Sequence, residues 1–253
     1  MKVKALYITN TGRVRQNNED ALLVGNRVFG ETSFNSFGFE EFELKGSLPF
    51  AVADGLGGHS CGEKASKLTL EVLKENTPQK LRDVKEIILK AKKRLDEFIE
   101  NGHEFCYGMG TVLAGVYIFP DKVYVFNVGD CRVYRFRDGK LELLTEDHTY
   151  IFRIYKEGKI TYDELRLHPE RNILETAVMG GYPDIPEVFV KETDIKRGDN
   201  FLICSDGLWE ALSFNEKVSC MSKENLKRRG ECLYSLSLEN SKDNISLILL
   251  EVG

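Results

Sequence analysis

The chain has 253 residues, 42% hydrophobic and 30% charged, enough for one sizeable domain with its own core. A net charge of −5 leaves no basic footprint for nucleic acid or an anionic membrane, and no stretch approaches the ~20 apolar residues of a membrane span. The start, Met1-Lys2-Val3-Lys4, lacks the apolar core and cleavage site of a secretory signal, and the six cysteines include no C-x-x-C pair, so a reduced, cytoplasmic protein is expected.

Strand-like runs come first: Val3 to Ile8, Ala21 to Val28 and Phe50 to Ala53. Between the last two, Gly30 to Ser47 is rich in Phe, Glu, Gly and Ser and reads as a hairpin or loop excursion. A helix follows over Lys64 to Lys74. In the next, Val84, Ile87, Ile88, Ala91, Leu95, Phe98 and Ile99 recur at three- and four-residue steps until Asn101-Gly102 stops it. Strands resume over Thr111 to Ile118, Lys122 to Asn127, Arg132 to Arg137 and Leu141 to Thr145, with turn signals at Pro120-Asp121 and Asp138-Gly139. The polar stretch from Asp147 to Pro186 reads as a flap subdomain. A strand at Phe201 to Ser205, helical patterns from Leu208 to Leu238 and a strand at Ile245 to Val252 close the chain. Strands in meander-like runs, with helices grouped between them, favour an α+β fold of antiparallel sheets. Two such sheets packed face to face, with helices outside, would bury strands that are apolar on both sides.

Four aspartates punctuate the apolar runs: Asp54 after Ala51-Val52-Ala53, Asp130 after Val128-Gly129, Asp206 after Cys204-Ser205, and Asp243 just before the last strand. Turns favour Asp-Gly and Asp-Asn on their own account. Four ionised carboxylates at strand ends, however, share one economical solution, a cluster of hard divalent cations. Oxygen ligands at this density suit Mg²⁺ or Mn²⁺ rather than zinc. Upstream, Arg15 stands four residues before Glu19 in the acidic pair Glu19-Asp20, and its forked guanidinium suits a phosphate.

The motifs at Arg15 to Asp20, Asp54 to His59, Gly108 to Thr111, Gly129 to Arg132, Leu144 to His148, Ser205 to Trp209 and Asp243 to Ile245 together closely resemble the metal-dependent Ser/Thr protein phosphatases of type 2C, the PPM family. The segment His168 to Leu174 is similar to the flap of bacterial members. The resemblance spans nearly the whole chain and implies one domain over residues 1–253, an α-β-β-α sandwich with a flap over about 147–186. It implies that Asp54 bridges two core metals, with the Gly55 carbonyl on the second. Asp206 and Asp243 would complete the first, and Glu19 or Asp20 would face the second directly or through water. Asp130 with Asp206 would hold the weaker third metal of bacterial members, and Arg15 would grip the substrate phosphate.

Departures are modest. Cys131 stands where a serine is common, Ser246 where a threonine is, and Leu56 where animal members carry a histidine proposed as general acid. His59 is nearby in sequence, but a glycine-flanked histidine capping a helix start is the better account of it, and a metal-bound water could protonate the leaving group instead. The implied activity is hydrolysis of phosphoserine and phosphothreonine in proteins at a Mg²⁺ or Mn²⁺ centre. Phosphorylated proteins, and a Hanks-type kinase sharing those substrates, are the implied partners; the compact length suggests a monomer. The rival reading is a catalytically silent phosphoprotein-binding or regulatory module on the same fold.

Overall fold

The computed structural model describes residues 1–56 and 61–253. His59 lies outside them. Along the chain the strands are β1 (Lys2–Asn10), β2 (Asp20–Val24), β3 (Arg27–Phe29), β4 (Gly38–Glu43), β5 (Leu48–Gly55), β6 (Gly110–Ile118) and β7 (Lys122–Val128). They continue as β8 (Arg132–Arg137), β9 (Lys140–Leu143), β10 (Val178–Met179), β11 (Phe189–Asp194), β12 (Asn200–Cys204) and β13 (Ile245–Val252). Helices α1 (Gly62–Glu75) and α2 (Asp83–Glu100) sit between β5 and β6, and a 3-10 turn, Glu104–Cys106, follows them. Helices α3 (Tyr150–Lys156) and α4 (Tyr162–Leu167) fall in the flap stretch. Three more, α5 (Asp206–Trp209), α6 (Phe214–Met221) and α7 (Leu226–Asn240), precede β13.

Side-chain alternation decides the layering. In β12, Phe201 and Ile203 face one way and Leu202 and Cys204 the other, and all four are buried. Such a strand needs a packed layer on each side. One sheet runs β4-β1-β13-β12-β8-β9 and the other β11-β7-β6-β5-β2-β3, with β10 beside β6. Every pairing is antiparallel. Val52, Val112, Val116, Phe201, Ile203 and Ile248 lie in the central layer between the sheets. Leu23, Ala51 and Leu113 pack outward on Leu70, Ile88 and Leu95 of α1 and α2. Leu202, Cys204 and Leu249 pack outward on Leu208, Met221 and Leu233 of α5 to α7. The four layers are those of the α-β-β-α sandwich.

Local readings differ in three places. The run Ala21 to Val28 is two strands, because Gly25 takes φ 59 and turns the chain into a hairpin. The Gly30 to Ser47 segment supplies one edge strand, β4, laid against β1. The polar β11, Phe-Val-Lys-Glu-Thr-Asp, was not foreseen; it is an edge strand whose charges face solvent.

The expectation of a fully reduced chain is overturned. Cys61 is bonded to Cys106 and Cys220 to Cys232, with Cα atoms 5.5 and 5.4 Å apart, while Cys131 and Cys204 stay free and buried. The partners are 45 and 12 residues apart, spacings that no local cysteine pattern reveals. The redox ground for a cytoplasmic location therefore falls. Among the described residues no helix is long and apolar enough to cross a membrane.

Candidate metal and phosphate site

The carboxylates reach one end of the sandwich from both sheets. Asp54 near the end of β5 sits directly across from Asp20, the first residue of β2. Asp130 occupies the turn between β7 and β8. Asp206 opens α5 just beyond β12, and Asp243 lies two residues before β13. Two glycines let these backbones close up. A Cβ on Gly207 would overlap the Asn244 carbonyl oxygen, so only glycine lets α5 seat Asp206 against the Asp243-Asn244 turn. A Cβ on Gly55 would likewise strike the Gly62 carbonyl, where α1 crosses the end of β5.

Polar groups fix the loops around that end. The Asn244 side chain accepts from the Glu19 amide at 2.9 Å and donates to the carbonyls of Thr11 and Asn17 at 3.0 and 2.9 Å. This clamps the Arg15 loop onto the start of β13. Arg15 Nη2 donates to Asp243 Oδ2 at 2.7 Å, and the arginine remains about half exposed at the cavity mouth. Ser66 of α1 donates to the Glu19 carbonyl at 2.6 Å, and Thr111 to the Asp54 carbonyl at 2.8 Å. Trp209 Nε1 donates to the Asp130 carbonyl at 2.9 Å, while its ring lies 3.5 Å from the guanidinium of the fully buried Arg132. Arg132 is itself forked onto Asp147 at 2.6 to 3.1 Å. The Gly129 amide donates to His148 Nδ1 at 3.0 Å, bracing the turn before Asp130.

Seven of the eight residues singled out from sequence, namely Arg15, Glu19, Asp54, Gly55, Asp130, Asp206 and Asp243, line one cavity of about 170 Å³. The eighth, Asp20, lies behind it at 1% exposure, accepting from Ser205 Oγ at 2.9 Å. Asn244, Asn172, Leu56, Val112 and Leu174 complete the wall. None of these five was singled out as a site residue. Asn244 adjoins Asp243 and Asn172 falls in the flap motif, so proximity was the available signal for both.

The electrostatics of this end are unfavourable in the protein alone. Burial, then repulsion from Asp20, Asp206, Asp243 and Asp130, pushes the Asp54 carboxyl well above the usual carboxylate range. Asp130 is driven the same way, first by burial and then by Asp206. Asp206 is raised to about 6, chiefly by burial and by Asp243. Asp20 reaches about 7, burial outweighing the hydrogen bonds from Ser246 and Ser205 that favour its anion. Glu19 is raised by burial and by Glu63. Buried oxygens of Asp20 and Asp206 have no hydrogen-bond partner. Mutually repelling, desolvated carboxylates with orphaned oxygens are the donor set that a hard divalent cation satisfies. Among the described residues no three acidic, histidine or cysteine side chains close into an ion's shell unaided.

Comparison with known proteins places this architecture. Residues 11–152 match the family model of protein phosphatase 2C. The serine/threonine phosphatase stp of Listeria monocytogenes is 30% identical over 267 residues, covering 98% of this chain and 95% of that one. The serine/threonine protein phosphatase PstP of Mycobacterium tuberculosis is 27% identical over 250 residues, covering 96% of this chain. The chain spans only 44% of that relative's length. The crystal structure of mycobacterial PstP/Ppp superposes with a TM-score of 0.81 at 25% identity, covering 100% of this chain and 99% of that one. A second, of the PstP catalytic domain in complex with two manganese ions, gives 0.77 at 25% identity over the full length of both chains. The match to the family model over more than half of the residues, and the full-length likeness to Listeria stp, show that this chain belongs to the protein phosphatase 2C family.

Proposed function

We propose that the chain hydrolyses phosphoserine and phosphothreonine in proteins, with Mg²⁺ or Mn²⁺ as its resident ions. The observation that carries this reading is the single cavity shared by five carboxylates and Arg15. Asp54, Asp206 and Asp243 would hold one ion; Asp54, the Gly55 carbonyl and Glu19 would hold a second, and Asp130 with Asp206 a third. Asp20, sealed behind the wall, adds negative potential without needing to touch an ion. Bound ions would supply Lewis-acid charge for the phosphoryl oxygens and lower the pKa of water to the point of nucleophilic competence.

The residues of the chain supply position and charge. Arg15 presents a guanidinium whose Nη2 is engaged by Asp243, leaving its other donors to bind two phosphoryl oxygens side by side. In phosphoryl transfer most of the catalysis lies in such positioning and charge stabilisation. Among the described residues no serine or cysteine lines the cavity wall to offer a protein nucleophile; Cys131 is buried and its thiol is pushed up by burial and by Asp54.

Asp54→Ala should abolish hydrolysis of p-nitrophenyl phosphate and of a phosphoserine peptide, and should weaken Mn²⁺ binding measured by calorimetry. Normal turnover by purified Asp54→Ala at saturating Mn²⁺ would rule the mechanism out.

A further inference from the structure

Away from the carboxylate cavity, one stretch of surface carries large apolar side chains that the fold leaves uncovered. Phe105 is 70% exposed and Tyr107 57%, on and just after the 3-10 turn that follows α2. The Tyr107 and Tyr182 rings meet edge to face, centroids 5.3 Å apart, at a groove of about 500 Å³. The wall also carries three acids, Asp96, Glu100 and Glu104, and one lysine, Lys92, beside Ile99, Gly181 and Pro183. Lys92 is committed to Asp96 at 2.8 Å, which leaves Glu100 and Glu104 without an ion-pair partner among the described residues. Exposed aromatics in a groove mark a contact surface. Uncompensated carboxylates beside aromatic faces select a cation on an apolar stem.

We propose that this groove docks a basic segment of the phosphoprotein substrate, a lysine or arginine beside an apolar residue, at a distance from the phosphorylated residue itself. The proposal rests on the phosphatase reading of the carboxylate cavity. Covalent and backbone links join the two places. Cys106, between the exposed aromatics, is bonded to Cys61 at the head of α1, whose Gly62 packs on Gly55. The Gly108 amide donates to the Gly180 carbonyl, and the Leu56 amide to the Gly110 carbonyl beside the end of β5. Gly181 has φ 84 and carries no Cβ to meet the ring of Tyr107 packed over it, and its amide donates to Asp96 at 2.8 Å. The groove is therefore held in shape before binding, which lowers the ordering cost of association. A substrate anchored there presents its phosphoresidue to the cavity at raised effective concentration. A second copy of the chain fits the groove poorly. A two-fold contact sets the same patch against itself and would bring Glu100 and Glu104 against their own symmetry mates.

The test compares two phosphoserine peptides with one core sequence, the second extended through a flexible linker by a lysine- and arginine-rich segment with one leucine. The extension should lower KM about ten-fold with kcat unchanged. Glu100→Gln/Glu104→Gln, and separately Tyr107→Ala/Tyr182→Ala, should return KM to that of the core peptide. Turnover of the core peptide and of p-nitrophenyl phosphate should not change in either variant. Equal KM for both peptides in the wild type, or an advantage that survives both variants, overturns the proposal. So does a dimer in solution that Tyr107→Ala/Tyr182→Ala dissociates, which would assign the face to self-association. If the core peptide is not hydrolysed at all, the phosphatase reading fails instead. Calorimetric binding of the extension alone, present in wild type and lost in Glu100→Gln/Glu104→Gln, then still decides the docking.

Discussion

Removing metal should make this protein's stability fall as pH rises, and Asp20 contributes one share of the effect beside Asp54, Asp130 and Asp206. Asp20 is 1% exposed and its carboxyl is raised to about 7, mainly by burial. In the unfolded chain an aspartate titrates near ~3.9. Between these values the folded, metal-free protein keeps a proton that the unfolded chain has released. The folded state then binds more protons, so stability decreases with pH. The contribution is fully present below pH ~4 and is gone above the folded value of about 7. Roughly three pKa units at ~1.4 kcal/mol each give a loss on the order of 4 kcal/mol, of which roughly 3 kcal/mol falls above about pH 5. Urea unfolding of EDTA-treated protein at about pH 5 and about pH 8 measures it as a shift in midpoint at constant slope. Asp20→Asn should shrink the difference, and saturating Mn²⁺ should abolish it in the wild type by holding the carboxylates ionised. Identical midpoints at the two pH values in EDTA, or an undiminished loss in Asp20→Asn, would refute the argument.

Arg132→Met strands the buried Asp147 carboxylate and should cost about 3–5 kcal/mol in urea unfolding, with the Arg132→Met/Asp147→Leu double variant less destabilised than the sum of its parts. Gly207→Ala drives a methyl into the Asn244 carbonyl, so α5 must move away from Asp243; Mn²⁺ affinity by calorimetry and turnover should both fall at least about ten-fold. Cys220→Ser/Cys232→Ser opens a loop of 12 residues and should lower stability by about 3 kcal/mol, whereas opening the 45-residue Cys61–Cys106 loop should cost about 4 kcal/mol, both checked by thermal unfolding.

The layering and the carboxylate end were legible because both are written in local pattern. Apolar runs such as Phe201 to Cys204 announce strands buried on two faces, and an aspartate at one end of the run, after it at Asp54, Asp130 and Asp206 and before it at Asp243, marks the boundary. The sequence could not choose between Glu19 and Asp20, because which of two adjacent side chains the packed sheets seal is decided by tertiary packing and not by local pattern. Asp20 begins β2 across from Asp54 with its side chain sealed inside, and Glu19, one residue earlier, reaches the cavity. The features that escaped are those without a period of their own. The edge strands β4 and β11 are dense in charge and take their structure from β1 and β7. The disulfides join residues that only the packing of the 3-10 turn on α2 and of α2 on α1, and of α6 on α7, brings into range.

The site spans a seam, and this explains why so much hydrogen bonding is spent around it. Asp20 and Asp54 belong to one sheet, while Asp206 and Asp243 flank strands of the other, so their mutual repulsion acts to part the layers at this end. The seam is closed by neutral groups. Ser205 Oγ donates to Asp20 at 2.9 Å across the sheets; within its own sheet it accepts from the Ser246 amide at 3.2 Å, beside the Thr9–Ser246 hydroxyl contact of 2.7 Å that joins β1 to β13. Asn244 ties the Arg15 loop down beside them. These bonds hold like charges together in the absence of a cation, at the expense of global stability. Neutralising a site carboxylate should therefore stabilise the metal-free fold while removing activity, the usual opposition between stability and function at a preorganised site. If Asp20→Asn, Asp54→Asn and Asp206→Asn all left the EDTA-treated protein no more stable than wild type at about pH 8, the carboxylates would not be strained against one another and the inference of a cation-shaped site would lose its physical basis.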